Sequence, residues 1–187
     1  MQLGSYLDAG VVAAVELVNG LVLAPVADDE ARAVVVAALR VDPPSVARLR
    51  AGDLPGFTDL AERLHGVFAD LDRGDIDGAA GRLNVLLARH PAHPHLARDN
   101  GQWRVHHHPV DAELVPMWTA ICAEGVARVI GAGEGARLGT CRRPACGRVF
   151  VDVSKNGSRR FCSITCQNRV KAAAFRRRQV RSVTRGF

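Results

Sequence analysis

Four cysteines near the C-terminus have a spacing that suits a metal ion. Cys141 and Cys146 are separated by four residues, Cys162 and Cys166 by three, and fifteen residues lie between the two pairs. Two cysteines a few residues apart on a tight turn can bind one ion together, and a second pair completes a tetrahedral shell of thiolates. The pattern therefore predicts one structural Zn²⁺ held by all four cysteines.

Two other interpretations of these cysteines are weaker. A chain of 187 residues can bury a core without disulfides, and no cleavable signal peptide precedes it, so we expect a reducing, cytoplasmic location. Buried free thiols are disfavoured because Arg142, Arg143 and Arg148 surround Cys146. The fifth cysteine, Cys122, lies in an apolar helical segment and is interpreted as a core residue.

Charge divides the chain into two parts, which we expect to be domains. Residues 137–187 contain twelve arginines and two lysines against the single acid Asp152, a net charge of +13. Residues 1–136 contain eleven arginines and eighteen acids, a net charge of −7. Such polarity favours a C-terminal part that binds nucleic acid and an N-terminal part with another role.

A knuckle and a hairpin are expected to position the first cysteine pair. Pro144 and Gly147 can supply the bends that aim two sulfur atoms at one point. Residues 148–153 have the β-branched and aromatic content of a strand, residues 155–158 predict a turn, and residues 159–161 would return along the first strand.

A helix is expected to position the second pair. Ser163 is the predicted N-cap of a helix that carries Cys166 in its first turn and extends towards Arg181. The positive end of the helix dipole would help to keep the thiolates deprotonated. The order of knuckle, hairpin and helix is typical of treble-clef-like zinc modules.

The predicted C-terminal helix carries cations on nearly every side, and no acid follows Asp152. A charged helix that is only solvated usually mixes both signs, whereas a phosphate backbone would supply the missing negative charge here. Asn168 or Arg169 are candidates for reaching base edges. The residues expected to contact phosphates are Arg159, Arg160, Arg169, Lys171, Arg176, Arg177 and Arg178.

The segment from Cys141 to Arg178 resembles the CGNR zinc finger. The residues that carry the resemblance are FVD at 150–152, RRFCS at 159–163 and CQNRVK at 166–171. The tetrad that names this family is Cys-Gly-Asn-Arg, and Gln167 stands here where the family has glycine. The resemblance implies an N-terminal ABATE domain and a role as a stress-induced transcriptional regulator in bacteria. It extends to the front of the chain through domain order and a tryptophan-bearing strand before the last long helix.

Residues 1–136 have the pattern of several short amphipathic helices packed as one core. Apolar residues recur at helical spacing from Leu7 to Val18, from Leu60 to Leu71 and from Ile76 to Leu87. Asp28 and Asp75 are predicted N-caps. Predicted breaks fall at Pro25, Pro43-Pro44, Pro55-Gly56 and Pro91. Because polar residues interrupt the apolar run 11–26, we expect no segment long enough to cross a bilayer.

Asn100-Gly101 predicts a type I′ turn that pairs Arg98 with Trp103 and Leu96 with Val105 across two antiparallel strands. These residues share a face, and the three apolar ones are expected to pack on the helices, with Arg98 over the indole. The opposite face, with Asp99, Gln102, Arg104 and His106, is expected to be wetter.

A helix from about residue 111 to 130 is expected after this hairpin. Its predicted apolar side consists of Leu114, Trp118, Ile121, Cys122 and Val129. Three glycines, at positions 131, 133 and 135, predict its end and a short flexible joint before Arg137.

Six histidines cluster near the hairpin, at positions 90, 93, 95, 106, 107 and 108. His106 and His108 could face one metal ion or an acidic effector. A surface position is the commoner role of such residues, and no Asp or Glu accompanies them at ligand spacing.

The fold class predicted from the sequence is α+β, mainly helical with small hairpins, with an α-rich regulatory or dimerisation domain over residues 1–136 and a treble-clef-like zinc module over residues 137–187. Catalytic motifs are absent and a zinc ion with four cysteine ligands has no open position for water, so an enzyme is not expected. The leading hypothesis is a DNA-binding regulator. Its alternatives are an RNA-binding protein and a protein-interaction adaptor. A homodimer and a small-molecule effector are left open, and no membrane partner is expected.

Overall fold

Within the residues that the structure describes, seven α-helices and two small antiparallel sheets make up the fold. The computed structural model describes residues 9–23, 26–91, 93–99, 101–107 and 111–183. The helices are α1 (Ala9–Leu21), α2 (Asp28–Leu39), α3 (Pro43–Arg48), α4 (Leu54–Asp72), α5 (Ile76–Arg89), α6 (Leu114–Gly131) and α7 (Ile164–Val183). The strands are β1 (Pro94–Asp99), β2 (Gln102–His107), β3 (Leu138–Thr140) and β4 (Val149–Val151). This arrangement confirms the predicted fold class.

Helix α1 lies at the centre of the core, where it packs against α2, α4 and α6. Its apolar residues are so numerous that it is buried on most sides, and Val11, Leu17 and Val18 are almost inaccessible to solvent. Near its end, a Cβ atom added at Gly20 would lie 2.4 Å from Cγ1 of Val34 in α2. The missing side chain therefore lets α1 and α2 approach closely.

Helix α6 is long and apolar enough to cross a bilayer by length and composition. The expectation that no segment has this property is wrong, because only Glu124 and Arg128 interrupt the apolar residues of α6 with charge. However, 56% of the helix is buried inside the protein, where it packs against α1, α4 and α5. The indole of Trp118 is buried and donates a hydrogen bond of 2.9 Å to Oγ of Ser45. These are the contacts of a core helix in a folded protein. Of its predicted apolar side, Leu114, Trp118, Cys122 and Val129 are buried and Ile121 is partly buried.

Helices α4 and α5 form an antiparallel pair, and their predicted stripes are only partly correct. In α4, Leu60, Leu64, Val67 and Phe68 are buried and Leu71 packs at the edge of the core. In α5 the buried row is Ala79, Leu83 and Leu86, whereas Ile76 is 56% exposed. Ile76 has the spacing of this row, but it is the first residue of α5 and lies at the exposed end of the helix.

Helix starts agree with the sequence at one of the two predicted caps. The Asp75 carboxylate accepts a hydrogen bond of 2.8 Å from the Gly78 N–H, as an N-cap does. Asp28 is instead the first residue of α2, after Ala27, and makes no capping bond. Pro55 lies inside the first turn of α4 rather than at a break, because a proline in the first turn leaves no hydrogen bond unmade. Leu7 and Pro25 lie outside the described residues.

The hairpin β1–β2 has the predicted register, with Leu96 opposite Val105 and Arg98 opposite Trp103. The Arg98 guanidinium lies over the indole, 5.4 Å from its centroid. The predicted inward packing is wrong: Leu96 and Trp103 are each 64% exposed and Val105 is 56% exposed. The helices fill the core without these side chains. The opposite face, with His95, Ala97 and His106, is the partly buried one.

The glycines after α6 form a defined cap where a flexible joint was expected. Gly133 adopts a φ of +76°. Its N–H donates to the Ile130 carbonyl at 2.9 Å, and the Glu134 N–H donates to the Val129 carbonyl at 3.0 Å. This pair of bonds is a Schellman motif, which ends a helix with a fixed change of direction.

Strand β4 pairs with β3, not with residues 159–161 as predicted. The register places Gly139 opposite Phe150, and a Cβ atom added at Gly139 would lie only 3.2 Å from Cζ of the Phe150 ring. Leu138 and Val149 are 2% and 1% exposed and belong to the same hydrophobic core as the helices. The sheet that carries the first cysteine pair is thus built into the core of the N-terminal part.

Candidate metal centre and basic helix

The four cysteines Cys141, Cys146, Cys162 and Cys166 come together at one point. Their sulfur atoms all lie within 4.8 Å of one another. Within the described residues, these four side chains form a cluster that could bind a metal ion. Cys141 directly follows β3, Cys146 lies in the knuckle before β4, Cys162 precedes α7, and Cys166 lies in its first turn.

The distances between the sulfur atoms fit a zinc ion. The Sγ atom of Cys146 lies 3.8 Å from those of Cys162 and Cys166, which are 3.5 Å from each other. Zn–S bonds of about 2.3 Å in a tetrahedron place sulfur atoms about 3.8 Å apart. A disulfide requires about 2.05 Å, so these cysteines are unpaired thiols around a common centre. Four thiolates leave no coordination position open, which makes the ion structural.

The knuckle is shaped by two residues with positive φ. Ala145 has φ 57° and Gly147 has φ 66°, and the Cys146 N–H donates to the Arg143 carbonyl at 3.1 Å. The bend at Gly147 was predicted, whereas the left-handed alanine was not, because alanine rarely adopts this conformation. The Cys141 N–H donates to the Arg148 carbonyl at 2.8 Å and closes the loop.

Ser163 caps α7 as predicted. Its Oγ accepts a hydrogen bond of 3.2 Å from the Cys166 N–H. The cap fixes the first turn of α7, and with it the position of the Cys166 sulfur relative to Cys162.

Arg143 belongs to the metal centre, a role that the sequence does not predict. The sequence marks it only as a polar residue near Cys146. Its Nε donates to the Cys166 sulfur at 3.2 Å, from the knuckle to the opposite cysteine pair. Hydrogen bonds from the Ser163 hydroxyl and from Arg143 lower the pKa of Cys166 to about 6. Burial and hydrogen bonds with the other cysteines raise the pKa of Cys162 to about 12. Without metal, therefore, Cys166 ionises first, and a bound divalent cation would be needed to keep Cys162 as a thiolate at neutral pH.

Asp152, the single acid of the basic part, is 2% exposed. Its carboxylate accepts hydrogen bonds from the N–H groups of Ser154, at 2.8 Å, and Arg159, at 2.6 Å. Burial alone would raise the pKa of Asp152, but the bonds from Ser154 and Arg159 and the nearby Arg137 outweigh it, and the net pKa is lowered. The carboxylate thus holds the turn between β4 and Cys162.

Arg159 folds back on the same loop. Its guanidinium donates to the carbonyl oxygens of Val151, at 3.1 Å, Phe161, at 2.9 Å, and Cys162, and lies 4.9 Å from the Phe150 ring centroid. These contacts give it a structural role beside the zinc centre, and its predicted phosphate contact stays a prediction.

The other predicted nucleic-acid contacts lie on the surface. Arg160, Asn168, Arg169, Lys171, Arg176, Arg177 and Arg178 are all exposed, and all except Arg160 lie on α7. Gln167, which stands at the glycine position of the tetrad, continues α7, and its N–H donates to the Ser163 carbonyl at 3.2 Å. Its side chain lines a cavity of about 450 Å³ together with Arg160 and Ser163.

Asn19 of α1 joins the N-terminal part to this centre. Its side-chain amide donates to the Val149 carbonyl at 3.0 Å, and its oxygen accepts from the Val149 N–H at 2.8 Å. An asparagine thus completes the open edge of β4 as a neighbouring strand would. No local signal in the sequence marks it, because its partner lies 130 residues away.

The histidines form no comparable cluster within the described residues, where the rings of His95 and His106 stack with centroids 5.5 Å apart. The predicted pairing of His106 with His108 falls outside those residues, since His108 is not described.

A four-cysteine knuckle and helix, built on a sheet that shares the core of a helical bundle, defines the class of protein as one with a structural zinc finger. Residues 137–179 match the family model of the CGNR zinc finger, which confirms the resemblance seen in the sequence. The match covers the zinc module, and the ABATE-like assignment of residues 1–136 stays a prediction. No curated protein matches the chain.

Proposed function

We propose that the chain is a transcriptional regulator that binds DNA through α7, with the zinc centre holding the start of this helix against the protein core. The zinc module supports this role because it fixes α7 at one end and leaves the rest of its length to a partner. The fourteen basic residues of the segment 137–187, with one buried acid, make a polyanion the complementary ligand.

One surface stripe of α7 carries the proposal. Ile164, Asn168, Lys171, Phe175 and Arg178 are spaced at i, i+4, i+7, i+11 and i+14, and all are exposed. Ile164 is 76% and Phe175 55% exposed, which is unusual for large apolar residues on a cationic helix. A stripe that alternates apolar, amide and basic side chains matches the methyl groups, base edges and phosphates of a major groove.

The stripe suggests a division of roles. The Asn168 amide suits an adenine edge, whereas Ile164 and Phe175 suit thymine methyl groups. Lys171 and Arg178 lie in the same stripe and would bind phosphates. Arg169, Arg176 and Arg177 lie on the far side of the helix, from which their long side chains would extend towards the phosphates. A helix of 20 residues is about 30 Å long, enough to span several base pairs from one end of the groove contact to the other.

The test is a selection of duplexes from a random pool by the zinc-loaded protein, followed by titration of a selected and a scrambled duplex at several salt concentrations. We expect the selected duplex to bind more tightly and both affinities to fall with salt. Asn168→Ala should reduce the difference between the two duplexes, at a cost of about 1–3 kcal/mol on the selected one. Arg176→Gln should weaken both equally and lower the salt slope by about one.

Arg63→Gln is the matched control, because Arg63 is a partly exposed arginine of α4, outside the zinc module. Equal affinity for selected and scrambled duplexes would reduce the function to non-specific binding. Structured RNA that displaces the selected duplex would favour the RNA-binding alternative, and no binding at moderate salt would favour the adaptor.

The N-terminal part would then sense an effector or mediate association. A cleft of about 450 Å³ between α1, α2 and β4 supports a place for a ligand, since Glu16 and Val34 line one side and Arg148 and Cys162 the other. A ligand there would contact both the helical core and the loop that carries a zinc ligand. Ligands that raise the melting temperature of the wild-type protein, but not that of an Ala37→Phe variant that narrows the cleft from an exposed position of α2, would support this placement.

A further inference from the structure

We infer that the exposed face of the hairpin β1–β2 is the interface through which two copies of this chain associate. We call this face, formed by Leu96, Arg98, Trp103 and Val105, the hairpin patch. Its three apolar side chains are 64%, 64% and 56% exposed and adjacent by the register of the two strands. This inference goes beyond the proposed DNA binding and does not depend on it.

The hairpin patch has the composition of an interface centre. Tryptophan and arginine are the residue types that contribute most to binding energy at protein interfaces. The single charge of the patch, on Arg98, is already stacked on the Trp103 ring, 5.4 Å from its centroid. The patch can therefore be covered without leaving an isolated charge against an apolar surface.

The hairpin also lacks the support that a two-stranded sheet needs. Such a sheet is marginally stable by itself and is usually completed by packing on another element. Among the described residues, β1 and β2 chiefly contact each other. A covering partner would supply the missing layer.

A second copy is the partner that the area and the shape of the patch favour. The exposed part of Trp103 amounts to roughly 150 Å², and Leu96 and Val105 add a similar area, so the patch offers on the order of 300 Å² per copy. Stable interfaces bury at least about 600 Å² per partner, and the apolar centre is typically about half of that. The patch also matches itself: in a face-to-face dimer with twofold symmetry, Trp103 of each copy would pack on Leu96 and Val105 of the other.

Nucleic acid is the weaker candidate for this face, although bases can stack on an exposed tryptophan. The two strands carry only Arg98 and Arg104 as permanent cations, with Asp99 next to Arg98, so a polyanion would find little net positive charge there. The basic surface lies in residues 137–187.

The experiment is sedimentation equilibrium of the full-length, zinc-loaded chain over a wide range of concentration. We expect the wild type to be a dimer that dissociates on dilution, and Leu96→Thr/Trp103→Thr to be a monomer. Threonine is chosen because it favours strands and so preserves the hairpin. The control is Ile76→Thr/Val85→Thr, which removes two apolar side chains of α5 that are 56% and 46% exposed, and it should remain a dimer.

Tryptophan fluorescence gives a second readout that does not require a variant. Trp118 is buried in the core, so its emission should not depend on concentration, whereas Trp103 should shift to longer wavelength as the dimer dissociates. A wild type that is monomeric at every concentration would overturn the inference, as would a dimer that survives the hairpin substitutions in a folded protein. Quenching of Trp103 by an oligonucleotide in a monomeric chain would assign the patch to nucleic acid and equally overturn it.

Discussion

Arg143 is the side chain through which the knuckle contacts the opposite cysteine pair. A cation beside a metal-bound thiolate offsets part of the charge that four sulfurs gather around one ion, and outer hydrogen bonds of this kind orient the ligands.

We expect Arg143→Met to weaken zinc affinity about 10-fold, the lower end of the range for partners of metal ligands. Competition with a chromophoric chelator measures this directly. Arg148→Met is the matched control, since Arg148 is an exposed arginine of the same loop, and it should leave the affinity unchanged. Equal affinities for the wild type and both variants would show that the bond from Arg143 contributes nothing to metal binding.

Ionisation of Asp152 makes the stability of the turn after β4 depend on pH. Because its pKa is lowered in the folded state, its contribution to stability is fully present above the unfolded-state pKa of about 3.9 and is lost as pH falls through the lower, folded-state pKa.

Asp152→Asn should cost about 1–2 kcal/mol at neutral pH, because an amide oxygen can replace only one of the two carboxylate acceptors. Urea unfolding of the wild type and the variant at a series of pH values measures the difference, which should shrink as pH falls below 4 and the wild-type carboxyl protonates. Glu62→Gln, an exposed change in α4, should show no such difference. A gap that persists in acid would mean that the charge of Asp152 is not what the turn requires.

At the scale of elements, the features that the sequence predicts correctly are those that depend on residues close together in the chain. The cysteine spacing, the Ser163 cap and the β1–β2 register all depend on residues close in sequence, and the structure confirms them. The pairing of β4 and the outward face of the hairpin depend on distant partners. Residues 138–140 are not predicted as a strand, because the segment is short and contains a glycine. In the structure that glycine, Gly139, allows the Phe150 ring of β4 to pack closely against β3. The hairpin faces solvent because the helices fill the core without it, which no periodicity in β1 and β2 could reveal.

Alanine substitutions at two glycines should change stability in opposite directions, because Gly20 lies where α1 and α2 are in close contact and Gly81 does not. Gly20→Ala should destabilise the protein by about 1–3 kcal/mol, since its Cβ atom would lie 2.4 Å from the stiff Val34 side chain and the helices would have to separate. Gly81→Ala, at a solvent-exposed site of α5 with open space around the new Cβ atom, should stabilise it by about 0.5–1 kcal/mol. Thermal unfolding of both variants compares them, and stabilisation by both would mean that α1 and α2 are not in close contact at Gly20.

At the scale of the whole molecule, the zinc centre and the helical part share one hydrophobic core. Leu138 and Val149 are buried among the helices, Asn19 completes the edge of β4, and Arg142 forms an ion pair of 3.3 Å with Asp72 of α4. The two parts differ in net charge, and this difference led to the prediction of separate domains. Charged residues lie mostly on the surface, so their distribution does not show whether the two parts share a hydrophobic core. Zinc binding is therefore expected to stabilise more than the residues that surround the ion.

Removing a ligand should show this coupling. In Cys162→Ser, weakened zinc binding should loosen β3 and β4 and, through Val149 and Asn19, lower the protection of amides in α1. An autonomous module would lose protection only after about Leu138. Hydrogen exchange of the wild type and the variant, both purified in the presence of zinc, separates the two outcomes. Cys122→Ser is unsuitable as a control, because Cys122 is fully buried in α6. Thr165→Ser, a conservative change at an exposed position between Cys162 and Cys166, should leave both zinc content and α1 protection unchanged. If α1 keeps its full protection in the zinc-free variant, the contact at Val149 transmits no stability, and the metal serves only to place α7.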